Sequence, residues 1–387
     1  MREPPHRDSV HTAEWVVVSN RYGDSTRSLK AVRSPAIPGR PVAPQPVLAS
    51  TYHLGSDEAE GLDTYGRSSN PTWRQLESGL AELEGATTAL VYSSGMAAIS
   101  AALRALARPE SVVVVPADGY YQVRRFAAEC LNPFGVNIIA ADTAHIYDAA
   151  ADADIVLAET PSNPGLDVVD LHRLSTICHA HRARLIVDNT AATPLGQQPL
   201  SLGADLVVAS ATKMLSGHSD LLAGYVATDQ DELATALERE RLLAGAILGG
   251  FEAWLLVRSL GSAGLRFERQ CLNAQALATM LSNHPAVKVV RYPGLPDDPA
   301  HPVAATQMRR FGTLVAVELA DAAAVNALLQ HSDLLTASTS FGSIHTLLDR
   351  RARWGDPVPD GFARISVGIE DTDDLVADIQ RALDAAH

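Results

Sequence analysis

The chain has 387 residues, 47% of them hydrophobic, and its 31 basic and 45 acidic side chains leave a net charge of −14. That length exceeds one small core and implies two or more domains. The acidic balance argues against a nucleic-acid or anionic-membrane partner, because both need a basic face, and no apolar run approaches the roughly 20 residues of a membrane helix.

Residues 1 to about 60 are rich in Pro, Ser and Arg. Pro35, Pro38, Pro41, Pro44 and Pro46 exclude a long helix there. Composition leaves a disordered tail and an arm across a neighbouring subunit equally open. From about residue 65 strands and helices alternate. Gln75–Leu83 reads as an amphipathic helix, Ala89–Tyr92 as a short strand, Gly95–Leu106 as an Ala-rich helix and Val112–Val115 as an apolar strand. Asp154–Ala158 is another strand, followed by a helix over Leu171–Ala183 and strands at Arg184–Val187 and Leu206–Ala209. Continuous apolar strands between helices predict a parallel sheet buried on both faces. Residues from about 230 to 275 read as helical and link to a smaller α+β domain. Its strands fall near Val287–Tyr292, Thr313–Glu318 and Arg364–Val367, and its last helix over Thr372–Ala386.

Polar residues gather where the strands of the first part end. Lys213, in Ser210-Ala211-Thr212-Lys213, follows the run Leu206–Ala209. A desolvated ammonium is costly, and burial lowers a lysine's pKa towards that of a Schiff-base nucleophile. Asp188 ends the strand before it. A carboxylate there can keep a pyridine nitrogen protonated, so that the ring becomes an electron sink. Together the two point to pyridoxal phosphate (PLP) chemistry. Ser94-Gly95-Met96 joins a strand to a helix, where a close backbone approach and free N–H groups suit a phosphate. It is not a GxGxxG turn, which disfavours a nicotinamide site. Tyr120 could stack on a flat ring. Arg364, at the start of its strand, offers a fork for a carboxylate. Taken singly, each has an ordinary alternative: a surface lysine, a turn aspartate, a half-buried tyrosine, a surface ion pair.

No metal site is expected, because His179 and His181 fall on different faces of a helix. Cys130, Cys178 and Cys271 are odd in number and lack metal-type spacing. That fits a reducing, cytoplasmic setting, as does the lack of an apolar targeting segment after Met1.

In this order the motifs resemble the PLP-dependent Cys/Met metabolism (trans-sulfuration) enzymes. They are Tyr65-Gly66-Arg67-Ser68-Ser69-Asn70-Pro71-Thr72, Ser94-Gly95-Met96-Ala97-Ala98-Ile99, Glu159-Thr160-Pro161-Ser162-Asn163-Pro164, Val187-Asp188-Asn189-Thr190, Ser210-Ala211-Thr212-Lys213 with Gly217-His218-Ser219-Asp220, and Arg364-Ile365-Ser366-Val367-Gly368-Ile369-Glu370. The resemblance implies the aminotransferase-like fold type I: a mainly parallel seven-stranded sheet with helices on both faces, and a smaller C-terminal α+β domain. The expected division is an arm over residues 1–60, a PLP-binding domain over 61–255 and a C-terminal domain over 256–387. It further implies that Lys213 carries PLP, that Gly95, Met96, Ser210 and Thr212 hold its phosphate, and that Tyr65 and Arg67 reach the phosphate of a neighbouring subunit. The expected assembly is then a homotetramer, a dimer of dimers. Tyr120 would stack on the ring and act as acid/base, with Asp188 at the ring nitrogen. Asn163, Ser340 and Arg364 would hold the substrate's carboxylate end, with Arg125 and His345 further out. His345 stands where the family often has glutamate, and Tyr121-Gln122 makes a bulkier loop than the family's Gly-Gly.

The segments Asp118–Tyr121 and Phe341–Arg353 look most like bacterial chains assigned as cystathionine γ-lyases. The expected reaction is therefore γ-elimination of L-cystathionine, a small sulfur amino acid. The γ-replacement of cystathionine γ-synthase or O-acylhomoserine sulfhydrylase is the alternative, and a catalytically silent PLP-fold binding protein is the reading from another class. Gln122 disfavours methionine γ-lyase, whose cysteine after the stacking tyrosine is absent.

Overall fold

A computed structural model describes residues 22–54 and 63–386. The rest of the expected N-terminal arm, residues 1–21 and 55–60, lies outside the described residues. Within 22–54, a short helix at Asp24–Ala31 is docked by Arg27, whose Nη2 donates to the Leu83 carbonyl at 2.9 Å.

Seven strands form the larger sheet: β1 (Thr88–Tyr92), β2 (Val112–Pro116), β3 (Asn137–Ala141), β4 (Ile155–Glu159), β5 (Arg184–Asp188), β6 (Leu206–Ala209) and β7 (Gly224–Thr228). Their order across the sheet is β1-β7-β6-β5-β4-β2-β3. Only β7 runs antiparallel to its neighbours, β1 and β6. The continuous apolar runs arise because both faces are covered. Val113 and Val115 pack with Leu157 and Ile186 on one side, while Val114 packs with Val156 and Val187 on the other. β3 lies at the sheet edge and is mostly exposed, so it lacks that apolar signature.

Two helix boundaries differ from expectation. The first long helix begins at Pro71, four residues before Gln75, because Asn70 caps it by accepting from the Thr72 N–H at 2.8 Å, with Pro71 at its first turn. The helix from Leu171 ends at Ala180, not Ala183, because Arg182 takes φ +62° and reverses the chain.

The second sheet holds β8 (Val289–Arg291), β9 (Leu314–Glu318), β10 (Thr336–Ala337), β11 (Leu347–Arg350) and β12 (Phe362–Ser366), in the order β10-β11-β12-β9-β8. The helix Ala263–Ser282 joins both cores. Its Phe267 and Cys271 pack with the large-sheet core, and its Leu277 and Leu281 pack with Val315 and Ile365 of the second. β12 starts two residues before Arg364, so Arg364 sits inside the strand, opposite Asp349 of β11. Among the described residues no helix is long and apolar enough to cross a membrane.

β2 is followed by β3 on its outer side, and the chain then returns to β4 on its inner side. That reversal opens a crevice at the carboxyl ends of the strands, where open α/β sheets bind ligands.

Candidate active site

A cleft of about 460 Å³ lies at those strand ends and is closed by residues of the second sheet. Lys213 enters it from the turn after β6. That turn is held by the bonds from Ser216 N to Ala211 O at 3.0 Å and from Gly217 N to Lys213 O at 2.8 Å. Beneath it the buried Arg266 donates to the carbonyls of Met214 at 2.8 Å and Leu215 at 3.0 Å. Gly217, at φ +75°, must be glycine, because a Cβ would stand 1.9 Å from Arg266 Nη1. Lys213 itself is half-buried. Its Nζ donates to Ser340 Oγ at 2.6 Å and stands 5.0 Å from the Phe341 ring centroid. Desolvation first, then the Arg364 charge, pull its pKa down to about 8, while Asp188 opposes them.

Asp188 ends β5 and pairs in register with Glu159, which ends β4. Its Oδ1 accepts from the Thr190 N–H at 3.0 Å and from Thr190 Oγ1 at 2.5 Å. Burial raises its pKa, against the Thr190 bonds and Lys213. Burial also pushes Glu159 well above the usual carboxylate range, helped by the Asp188 charge. Glu159 Oε2 accepts from Tyr120 N at 2.7 Å, tying the loop after β2 to the end of β4. Two buried carboxylates side by side, without an ion-pair partner among the described residues, favour a cation beside them. A protonated ring nitrogen at Asp188 would meet that demand.

The opposite end of the cleft suits a phosphate. Ser94 Oγ caps the helix Gly95–Leu106 by accepting from Ala97 N at 3.0 Å. The N–H groups of Gly95 and Met96, in its first turn, have no intrahelical acceptor. A Cβ on Gly95 would lie 2.7 Å from Ser210 Cβ, so only glycine lets Ser210 approach. Thr212 lines the same cleft, though its Oγ1 is engaged with Ala223 N at 2.9 Å and Ala223 O at 3.1 Å. These residues fit PLP: an amine, a carboxylate and a phosphate cradle face one space.

Arg364 is 2% exposed. Its Nη1 donates to Asn163 Oδ1 and its Nη2 to the Ser340 carbonyl at 2.6 Å, while Nε is buried with no partner. Burial lowers its pKa to about 10, which leaves it charged at neutral pH. Ser340 holds φ +73°, a left-handed backbone that lets its Oγ meet Lys213 and its carbonyl meet Arg364. Tyr120 is 38% exposed, its ring edge-on to Tyr121 at 5.3 Å. Burial raises its pKa, so its hydroxyl keeps its proton.

Other expected site residues are not brought to this cleft. Arg125 faces solvent from the helix Tyr121–Phe126, where Glu129, one turn on, takes its Nε at 2.8 Å. His345 is exposed just before β11, with its backbone N–H bonded to Ser343 Oγ at 3.2 Å. Tyr65 and Arg67 line a separate groove with Leu48 and Gly250, and Arg67 Nη1 donates to the Leu242 carbonyl at 2.8 Å. In turn the cleft includes Glu159, Thr190, Arg351 and Trp354, which sequence reasoning left without a role. Glu159 stood at a strand end and inside a recognised motif, a signal that was present. Arg351 stood in the segment Phe341–Arg353 that resembles the lyases but in no motif, and Trp354 lies just beyond it. Among the described residues no cluster could hold a metal ion.

A reactive lysine on the turn after an inner strand, facing a strand-end carboxylate and a helix N-terminus, belongs to the fold type I class of PLP enzymes. Residues 36–384 match the family described as Cys/Met metabolism PLP-dependent enzyme, and the chain belongs to that family. It is 46% identical over 371 residues to a Streptomyces coelicolor protein provisionally named a cystathionine gamma-lyase, covering 94% of each. It is 36% identical to a cystathionine gamma-synthase of Mycobacterium tuberculosis, over 93% of this chain and 97% of that one. The solved structure of metB from Corynebacterium glutamicum superposes with a TM-score of 0.90 at 34% identity, covering 95% of this chain and 99% of the other. The chain is thus a PLP-dependent enzyme of sulfur amino-acid metabolism, in a family that includes lyases and synthases.

Proposed function

We propose that the protein is a cystathionine γ-lyase, converting L-cystathionine into L-cysteine, 2-oxobutanoate and ammonia. The observation that carries this reading is the 46% identity, along 94% of the chain, to a relative provisionally named for that activity. When bound, PLP supplies an electron sink for charge developing at the substrate's Cα. The chain's own groups do the rest. Gly95, Met96, Ser210 and Thr212 would hold the phosphate, and Asp188 would keep the ring nitrogen protonated. Arg364, positioned by Asn163 and Ser340, takes the α-carboxylate in its fork. With a pKa near 8, Lys213 Nζ releases and accepts protons at neutral pH, so it takes the Cα proton and then a Cβ proton, and the electron pair left at Cβ forms the Cβ–Cγ double bond as the Cγ–S bond breaks. The Tyr120 hydroxyl protonates the leaving sulfur.

Tyr65 and Arg67, away from this cleft, serve the phosphate of a neighbouring copy in a homotetramer. Sedimentation of the purified holoenzyme checks that assembly, and a monomer would end it.

The decisive assay incubates the holoenzyme with L-cystathionine and identifies the keto acid. 2-Oxobutanoate with cysteine is expected. Pyruvate would mean that the bond on the other side of sulfur is cut. No keto acid, with cystathionine made from O-acylhomoserine and cysteine, would make the enzyme a γ-synthase.

A further inference from the structure

The outer end of the cleft carries a second cationic fork that the chemistry at Lys213 does not use. Asp349, 1% exposed, accepts from Arg351 Nη1 at 2.7 Å, Arg353 Nη2 at 2.8 Å and Trp354 Nε1 at 2.9 Å. Its Oδ2 also lies 3.7 Å from Arg364 Nη2. One carboxylate therefore orients both ends of an arginine array. Arg351–Trp354 form a single turn, closed by Gly355 at φ +83°. Arg351 is further held by Asp356, through Nε at 2.8 Å and Nη2 at 2.7 Å. These bonds use three of the five N–H groups of a guanidinium, and one remains on each terminal nitrogen. Arg351 and Trp354 line the cleft together with Arg364. The Arg351 charge is felt at both Arg364 and Tyr120.

Asp349 and Asp356 offset the Arg351 charge, yet Arg351 keeps two N–H groups without a partner among the described residues and lines the cleft with Arg364. An amino acid has one α-carboxylate, and Arg364 takes it. We propose that Arg351 is a specificity-determining residue that receives a second carboxylate, at the far end of the substrate's thioether arm, with the Trp354 ring over that arm. The preferred substrates are then dicarboxylic thioether amino acids, and S-alkyl or uncharged ones are selected against. This rests on the reading of Arg364 given above.

The test is calorimetric titration of the holoenzyme with thiodibutyric acid, a dicarboxylic thioether, and with methylthiobutyric acid, its monoacid counterpart. Neither has an amine to react with PLP, so binding is read without turnover. The diacid should bind at least about tenfold tighter than the monoacid, ~1.4 kcal/mol. Arg351→Gln should abolish that preference while leaving monoacid binding within about twofold. Arg351→Lys keeps the charge but not the fork, and should restore part of the preference, even if Arg351→Gln fails to fold. Equal binding of the two acids by the wild type overturns the proposal. So does a parallel loss of both in Arg351→Lys, which would make Arg351 a structural support. The keto-acid assay uses the unmodified enzyme and amino-acid substrate, so its failure and the failure of this preference are seen separately.

Discussion

The two ends of the cleft are built in different ways. At the inner end, Lys213, Asp188, Glu159 and Gly95 stand where strands of the large sheet stop, so the buried sheet positions them through its backbone. At the outer end, Arg351, Trp354 and Arg364 come from turns and strands of the second sheet and are gathered by one buried carboxylate, Asp349. The first arrangement is rigid and serves chemistry common to the family. The second can change with a few residues of one turn. On the proposed reading, the enzyme separates how it reacts from what it accepts.

The largest effect belongs to the inner end. Lys213→Ala should lower turnover at least about 10³-fold, since on the proposed reading it removes the amine that carries both cofactor and proton. It should also abolish the visible absorbance of the cofactor-loaded protein. The lysine leaves a pH signature in the cofactor-free enzyme. With a folded-state pKa of about 8 against 10.5 when unfolded, the folded state sheds its proton first as pH rises. The unfolded state then binds more protons across that window, so stability climbs with pH there and levels above it. The urea midpoint should rise between those values, and Lys213→Met should flatten the rise. A flat wild-type profile would mean that Nζ is solvated like a surface lysine.

At the outer end, Asp349→Ala removes one acceptor from Arg351, Arg353 and Trp354 together, while Asp356 still holds Arg351. Buried donors left unsatisfied cost about 1–3 kcal/mol, so a drop in the urea midpoint is expected, with Asp349→Asn intermediate. A drop below about 1 kcal/mol would mean that each arginine holds its place without Asp349.

The same division explains what could be read from sequence. Val112–Val115 and Leu206–Ala209 were visible because burial on both faces leaves no polar break, and the residues after them were visible because strand ends are where such sheets bind ligands. β3 and β7 were missed. The first is an exposed edge strand, and the second runs against its neighbours without a helix between. At the outer end, Asn163, Ser340 and Arg364 were legible through the family motifs, while Arg351 and Trp354 were given no role. Asn163 and Arg364 meet across 201 residues, and Asp349 faces Arg364 through the register of β11 and β12. Neither spacing repeats a pattern, so the contacts themselves appear only in the folded chain. Arg125 illustrates the converse. The family resemblance puts it on the substrate side, whereas here it faces solvent and pairs with Glu129 one turn away.

A smaller effect tests the phosphate cradle. Gly95→Ala places a Cβ 2.7 Å from Ser210 Cβ, and crowding of this kind costs ~1–3 kcal/mol. PLP affinity should fall about tenfold, read by equilibrium dialysis, and the urea midpoint of the cofactor-free protein should fall as well, because the crowding is between protein atoms. Equal affinity would move the phosphate away from the Gly95–Ser210 contact.

The smallest effect marks where the outer end stops. His345 precedes β11 and is exposed, on the far side of the buried Thr346 and Asp349 from Arg351 in sequence. Its side chain does not line the cleft. His345→Glu should therefore change kcat/KM for L-cystathionine by less than about twofold and stability by under ~0.5 kcal/mol, although it restores the residue type the family often has there. The comparison is sharpest beside Arg351→Gln. If selection resides in the Arg351 turn, the buried arginine moves KM for the dicarboxylic substrate and the exposed histidine does not. If His345→Glu instead shifts KM tenfold while Arg351→Gln leaves it unmoved, substrate reaches past the turn to the edge of the second sheet, and the array around Asp349 is a brace for Arg364 alone.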